Sequence, residues 1–238
     1  MEKNLVIILH KPQMAENIGM AARAMVNCGF TMLRLVQPLC EWPNKKADLA
    51  SAENLDKMQI ECFDSLQNAI RDLNLVFAAS ARDSRNLIKK NYSVEECVSE
   101  CSSCIVRGYK VGILFGPENN GLSNEEISFC NHIVSIESRV FSSYNLAQAV
   151  LIFCYKLMEL NSKKSSINFQ AGKTEIADKN DVIIFLDILE KMLVEKKHFK
   201  DEEKHYLMFM TIRNFFMRSE ITKQEINSLL GSIRTITN

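Results

Sequence analysis

Five short apolar runs, Leu5–Leu9, Met32–Val36, Leu75–Ala79, Val111–Phe115 and Ile133–Ile136, recur along the first two thirds of the chain. Most of the stretches between them carry apolar residues at helical spacing. Runs this short with little polar alternation fit strands covered on both faces. Strand alternating with helix then favours a mostly parallel sheet with helices on either side, and no other feature narrows the possible folds as far. Ile18, Ala22, Met25 and Val26 share one helical face, and Cys28-Gly29 supplies the stop, since glycine is free to take a left-handed cap. Ser65–Leu73 reads as a second amphipathic helix. The pairs Ser93/Glu96 and Ser123/Glu126 have the spacing of capping boxes that open two more.

At 238 residues the chain can bury a full α/β core and a small appended unit without metals or disulfides. Lys+Arg and Asp+Glu both number 29, so any nucleic-acid contact must come from local basic patches rather than from overall charge. Leu5–Leu9 is too short for a signal segment, and Asp187 interrupts even the apolar run Val182–Leu189. The expectation is a soluble cytoplasmic protein with no membrane partner. Eight cysteines scattered through apolar segments then read as reduced thiols. The one cluster, Cys97, Cys101 and Cys104, has no nearby histidine and reads as helix-packing thiols, with no metal expected.

From Asn145 to Leu160 the sequence is apolar on nearly all sides, which predicts a well-buried helix. Composition then turns polar. A main α/β domain over 1–162, a linker over 163–180 and a helical extension over 181–238 are expected. In the extension, Val182, Phe185, Leu186, Leu189, Met192 and Leu193 form a stripe. A Met- and Phe-rich segment follows from Tyr206 to Met217, and Thr222/Glu225 cap a last helix. Three short helices this apolar need a partner, either the main domain or a second subunit.

Three loops are candidates for chemistry. The first leaves the first strand through Asn17 and Gly19 towards Arg23, at the sheet edge where open α/β folds bind ligands. In it Asn17 could cap the helix, Gly19 permits close approach, and Arg23 is either functional or a solvated surface cation. The second, Phe115-Gly116 through Glu118 to Gly121-Leu122, lacks the Lys and Ser/Thr of a phosphate-cradling loop. No dinucleotide glycine fingerprint occurs anywhere, which makes a nucleotide-binding regulator remote. The third, Phe141–Ala147, places Ser143 and Asn145 where they could cap the apolar helix.

The order and content of these loops resemble the SpoU branch of the SPOUT methyltransferases. N-I-G-x-x-x-R then G-F looks like its first motif, F-G-P-E-x-x-G-L-S its second and S-S-Y-N-L-A-x-A-V its third, over Leu5 to about Leu160. Arg213-Asn-Phe-Phe-Met-Arg218 and the closing Glu225–Gly231 segment extend the likeness to the TrmJ group, over nearly the whole chain.

The resemblance implies an α/β-knot, a mostly parallel sheet with a deep trefoil knot, and a homodimer whose active site draws on both subunits. It implies a cofactor, S-adenosyl-L-methionine, held by Ala79, Ser80 and Ala81, by Gly116 and Ile136, and by Ser142, Ser143 and Tyr144. Asn17, Arg23, Glu118 and Asn145 match the catalytic positions. Arg23 is expected to hold the target phosphate and lower the pKa of a ribose 2′-hydroxyl, as a fixed cation rather than an ordinary base. The implied substrate is tRNA, at the cytidine or uridine of position 32 in the anticodon loop. Arg82, Arg85, Lys89, Lys90, Arg213 and Arg218 are candidates to grip it. Pro117, Glu16 and Tyr144 depart from commoner residues of the family, and the first leaves the exact substrate open. A ribosomal RNA ribose methyltransferase and a knotted RNA-binding protein without activity remain the alternatives.

Overall fold

The computed structural model describes residues 4–81, 87–141, 143–162, 175–199 and 201–237. Arg82, Arg85 and Ser142, and residues 163–174 of the expected linker, lie outside the described residues. Seven strands, β1 (Leu5–His10), β2 (Met32–Val36), β3 (Gln59–Phe63), β4 (Leu75–Ala79), β5 (Asn91–Tyr92), β6 (Val111–Phe115) and β7 (His132–Val134), form one sheet in the order β3-β2-β1-β6-β4-β7-β5. Every pairing is parallel. The helices are α1 (Ala15–Asn27), α2 (Lys45–Ala50), α3 (Leu66–Ile70), α4 (Val94–Val106), α5 (Asn124–Ser128), α6 (Leu146–Ser162), α7 (Lys179–Glu195), α8 (Glu202–Arg218) and α9 (Lys223–Thr237).

The central strands are buried on both faces, and side-chain alternation divides them between two cores. Leu5, Ile7 and Leu9 of β1 join the core under α1, α4 and α6, whereas Val6 and Ile8 face the opposite core. That second core also takes Val182, Phe185 and Leu186 of α7, Phe209 and Met217 of α8, and Ile226 of α9. The C-terminal helices therefore bury part of their apolar surface in this chain's own second core, while Tyr206, Leu207, Met208 and Phe215 of α8 stay exposed.

The expected capping boxes are present. Ser93 with Glu96 opens α4 and Ser123 with Glu126 opens α5, while the Thr222 hydroxyl accepts from the Glu225 amide ahead of α9. Gly29 sits at φ +83° beyond the end of α1, and Phe30 N donates back to the Met25 carbonyl, as a left-handed helix stop requires. Cys97, Cys101 and Cys104 lie buried on α4, with 3.9 Å between the first two sulfurs.

Three expectations need correction. The α6 helix is not buried all round: Leu151, Tyr155 and Met158 leave one side exposed, since its core covers only the opposite face. Asn17 does not cap α1. The cap position is Met14, whose side chain makes no capping bond, and Asn17 lies inside the first turn. The last of the five expected strands, β7, ends at Val134, so Ile136 lies in the loop beyond it.

Candidate active site

The sheet register places the site. Leu9, Phe115, Ala79 and Val134 stand side by side at the carboxyl ends of β1, β6, β4 and β7. Each chain leaves the sheet at or just beyond that row, so loops far apart in sequence open onto one edge. A cavity of about 190 Å³ lies there. Ala79, Ser80, Ala81, Gly116, Ile136, Ser143 and Tyr144, all expected from sequence to bind a cofactor, line it. Leu122, Leu146 and Ala149 also line it and were not anticipated. They sit inside the second and third motifs, so their place in those motifs was the available signal. Apolar side chains such as these accept a flat ring, and backbone at the strand ends can meet its polar edge.

The loop after β6 folds back on itself. A Cβ on Gly116 would come within 2.5 Å of Leu122 N and 2.6 Å of Gly121 C, so only glycine fits. Gly121 takes φ +64°, and its amide donates to the Pro117 carbonyl.

That turn carries Glu118 to the start of α1. Glu118 Oε2 accepts from Gln13 N at 2.9 Å, and Oε1 accepts from Met14 N at 3.3 Å and Asn17 Nδ2 at 2.8 Å. A carboxylate beside the amides at a helix start meets the positive end of the helix dipole, which supplies the cap that Met14 cannot. Asn17 Oδ1 in turn accepts from Asn145 Nδ2 at 3.0 Å, and Asn145 Oδ1 accepts from Ala147 N at 2.9 Å, capping α6. Glu118, Asn17 and Asn145 thus form one hydrogen-bonded line across three loops, with Glu118 in the cavity wall.

Arg23 does not join them. It lies exposed on α1, on the same outward side as Met20, and is not among the residues lining the cavity of its own chain. Among the expected RNA contacts, the Arg213 guanidinium stacks 4.4 Å from the Phe129 ring centroid and that of Arg218 lies 5.6 Å from the Phe215 centroid. The Lys89 ammonium turns inward to the Cys130 carbonyl, and burial lowers its pKa to about 8. Lys90 is exposed. Asn214 Nδ2 donates to the Ile88 carbonyl at 3.3 Å, fastening α8 to the segment that follows the cavity's Ser80–Ala81 edge. Among the described residues no cluster of three or more His, Cys, Asp or Glu could hold a metal ion, and no helix is long and apolar enough to cross a membrane.

Comparison with known proteins gives a consistent picture. The family model described as SpoU rRNA Methylase family matches residues 4–155. The chain is 32% identical over 230 residues to the tRNA (cytidine/uridine/adenosine-2′-O-)-methyltransferase TrmJ of Pseudomonas aeruginosa, covering 90% of this chain and 86% of that protein. It is 30% identical over 239 residues to the tRNA (cytidine/uridine-2′-O-)-methyltransferase TrmJ of Pectobacterium atrosepticum, covering 98% and 96%. Among solved structures, TrmJ from Z. mobilis ZM4 superposes with a TM-score of 0.85 at 30% identity, covering 98% of this chain and 99% of that one.

Proposed function

This chain belongs to the SpoU methylase family, and on that premise we propose that it methylates a ribose 2′-hydroxyl of tRNA from S-adenosylmethionine. The observation that carries the reading is the Glu118–Asn17–Asn145 line at a cavity whose lining contains the expected cofactor residues. The family resemblance further gives cytidine or uridine 32 of the anticodon loop as the target, in the cytoplasmic tRNA pool. The name of the P. atrosepticum relative, cytidine/uridine-2′-O-methyltransferase, supports a pyrimidine ribose, whereas that of the P. aeruginosa relative adds adenosine.

S-adenosylmethionine would supply an electrophilic sulfonium methyl. Ala79–Ala81, Gly116, Ile136, Ser143 and Tyr144 would hold it, with Leu122 and Leu146 as apolar walls. The Glu118 carboxylate, held by two backbone amides and Asn17, keeps the first and second loops in fixed relation, and Asn145 ties in the third. A ribose hydroxyl is a weak nucleophile, so its developing negative charge needs a fixed cation. Arg23 fills that role across a homodimer. It lies on the helix packed beside α6, and the exposed Leu151, Tyr155 and Met158 of α6 give a second copy an apolar face to cover. The trefoil threading belongs to the same reading. It is supported by membership of the SpoU methylase family, with which the parallel order β3-β2-β1-β6-β4-β7-β5 is compatible. Lys90, Arg213 and Arg218 would meet tRNA phosphates, on α8 and the segment fastened to it.

The test is methyl incorporation from radiolabelled S-adenosylmethionine into full-length tRNA, followed by nucleoside digestion and mass mapping. Label in 2′-O-methylcytidine or 2′-O-methyluridine at position 32 is expected. Incorporation into ribosomal RNA instead, or none into either RNA, would overturn it.

A further inference from the structure

The loop after β1 and the loop after β6 are joined at two levels. At their tips, Glu118 holds Gln13, Met14 and Asn17. At their bases stands a second contact: His10, the last residue of β1 and only 3% exposed, brings Nδ1 within 3.1 Å of Glu126 Oε1. Glu126 Oε2 meanwhile accepts from Ser123 N at 2.7 Å, the capping box that begins α5 where the cavity loop ends. The next residue, Lys11, takes φ +50°, a left-handed conformation that a non-glycine residue keeps only where its surroundings hold it. What holds it is visible: its amide donates to the Val36 carbonyl at 2.8 Å, and its Nζ stands 3.7 Å from the same Glu126 Oε1.

We propose that His10 and Glu126 form a positioning pair that sets the separation of these two loops, and through it the shape of the cofactor cavity and the aim of Glu118. One carboxylate meets the base of the first loop with one oxygen and the end of the second with the other. A tip contact alone would let both loops swing together. With the base fixed as well, Glu118 can meet the Gln13 and Met14 amides in one pose only. Burial by itself would raise the Glu126 pKa, but the contact with His10 and the hydrogen bonds from Ser123 outweigh it and bring it down to about 2. The carboxylate is therefore charged throughout the working pH range. Neither His10 nor Glu126 lines the cavity, so both act through the loops they hold.

The consequence for turnover rests on the methyl-transfer reading, whereas the loop geometry does not, and the experiment separates the two. Amide hydrogen exchange is followed on full-length wild type, His10→Leu and His10→Asn without ligand. Asparagine places an Nδ2 donor near the position of the imidazole Nδ1, and leucine has none. The Gln13, Met14 and Ser123 amides are expected to exchange about fivefold faster in His10→Leu and to return within about twofold of wild type in His10→Asn. Calorimetry with S-adenosylmethionine should then show binding weakened about tenfold in His10→Leu alone, with the KM for the cofactor raised more than kcat falls. Unchanged exchange in His10→Leu, or equal acceleration in both variants, overturns the proposal. If wild type fails to bind S-adenosylmethionine yet the exchange pattern holds, the methyl-transfer reading falls and the positioning pair stands. Should His10→Leu not fold, Glu126→Gln keeps an oxygen for the Ser123 amide while removing the charge facing His10. Faster exchange at Gln13 and Met14 is again the expected result, and no change overturns the proposal.

Discussion

Asn17 donates from Nδ2 to Glu118 and accepts at Oδ1 from Asn145, so the orientation of one side-chain amide is dictated from both ends. An aspartate in its place would set an oxygen against the Glu118 carboxylate. Asn17→Asp is expected to cost about 1–3 kcal/mol in urea unfolding and to slow methyl transfer about 10²-fold through misplaced loops. A variant as stable and as fast as wild type would remove Asn17 from the line. Arg23 is bound by no such constraint: it is exposed and stands apart from the cavity of its own chain. Arg23→Ala should therefore leave unfolding within about 0.5 kcal/mol and S-adenosylmethionine affinity near normal by calorimetry, while abolishing transfer in the radiolabel assay. Retained turnover would refute its assignment. The sequence placed Asn17, Glu118 and Asn145 together as family positions, but the direction of each hydrogen bond depends on how three loops meet.

Helix α1 shows how one residue fixes the approach of two elements. A Cβ on Gly19 would stand 2.0 Å from the Ala47 carbonyl oxygen of α2, so Gly19 serves helix contact rather than a ligand. Gly231 on α9 has nothing within 4 Å of the same added atom. Gly19→Ala should destabilise by about 1–3 kcal/mol through overpacking, whereas Gly231→Ala should stabilise by about 0.5–1 kcal/mol. Thermal unfolding of both variants checks the contrast. Four of the five expected strands, β1, β2, β4 and β6, match to within a residue because each is a short apolar run between turn signals. Strand β3 escaped notice since Gln59, Glu61 and Cys62 are exposed at the sheet edge and its sequence is no apolar run. The short α2 left one overlooked signal, Asn44, whose side chain caps it by accepting from Lys46 N.

At the scale of the molecule, the sheet separates two cores, and the C-terminal helices close the second. Lys179 lies in that junction, buried, its Nζ donating to the Met217 carbonyl at 3.3 Å. Burial lowers its pKa from 10.5 to about 7. Between those values the unfolded chain carries a proton that the folded chain lacks, so stability rises with pH across that window and the cost is fully present below about pH 7. Lys179→Met, net of the lost hydrogen bond, should raise Tm by about 2–4 °C at pH 6, with the gain shrinking towards pH 10. A gain independent of pH would refute this account. The exposed apolar side of α6 makes a separate claim about assembly. Leu151→Asp should convert a dimer to a monomer in sedimentation velocity and reduce methyl transfer with it, and a wild-type monomer would remove the proposed route for Arg23.

The sequence by itself determined the strand and helix alternation, the capping boxes, and the three loops, because apolar period, turn residues and capping spacing act over a few neighbouring positions. Only the tertiary structure decided that the row Leu9, Phe115, Ala79 and Val134 brings those loops to one edge, that Glu118 caps a helix about a hundred residues away, and that α6 keeps one apolar side exposed. Each of these depends on which strands become neighbours. Strand order is set by the burial of two whole faces at once, a quantity no local stretch of sequence contains.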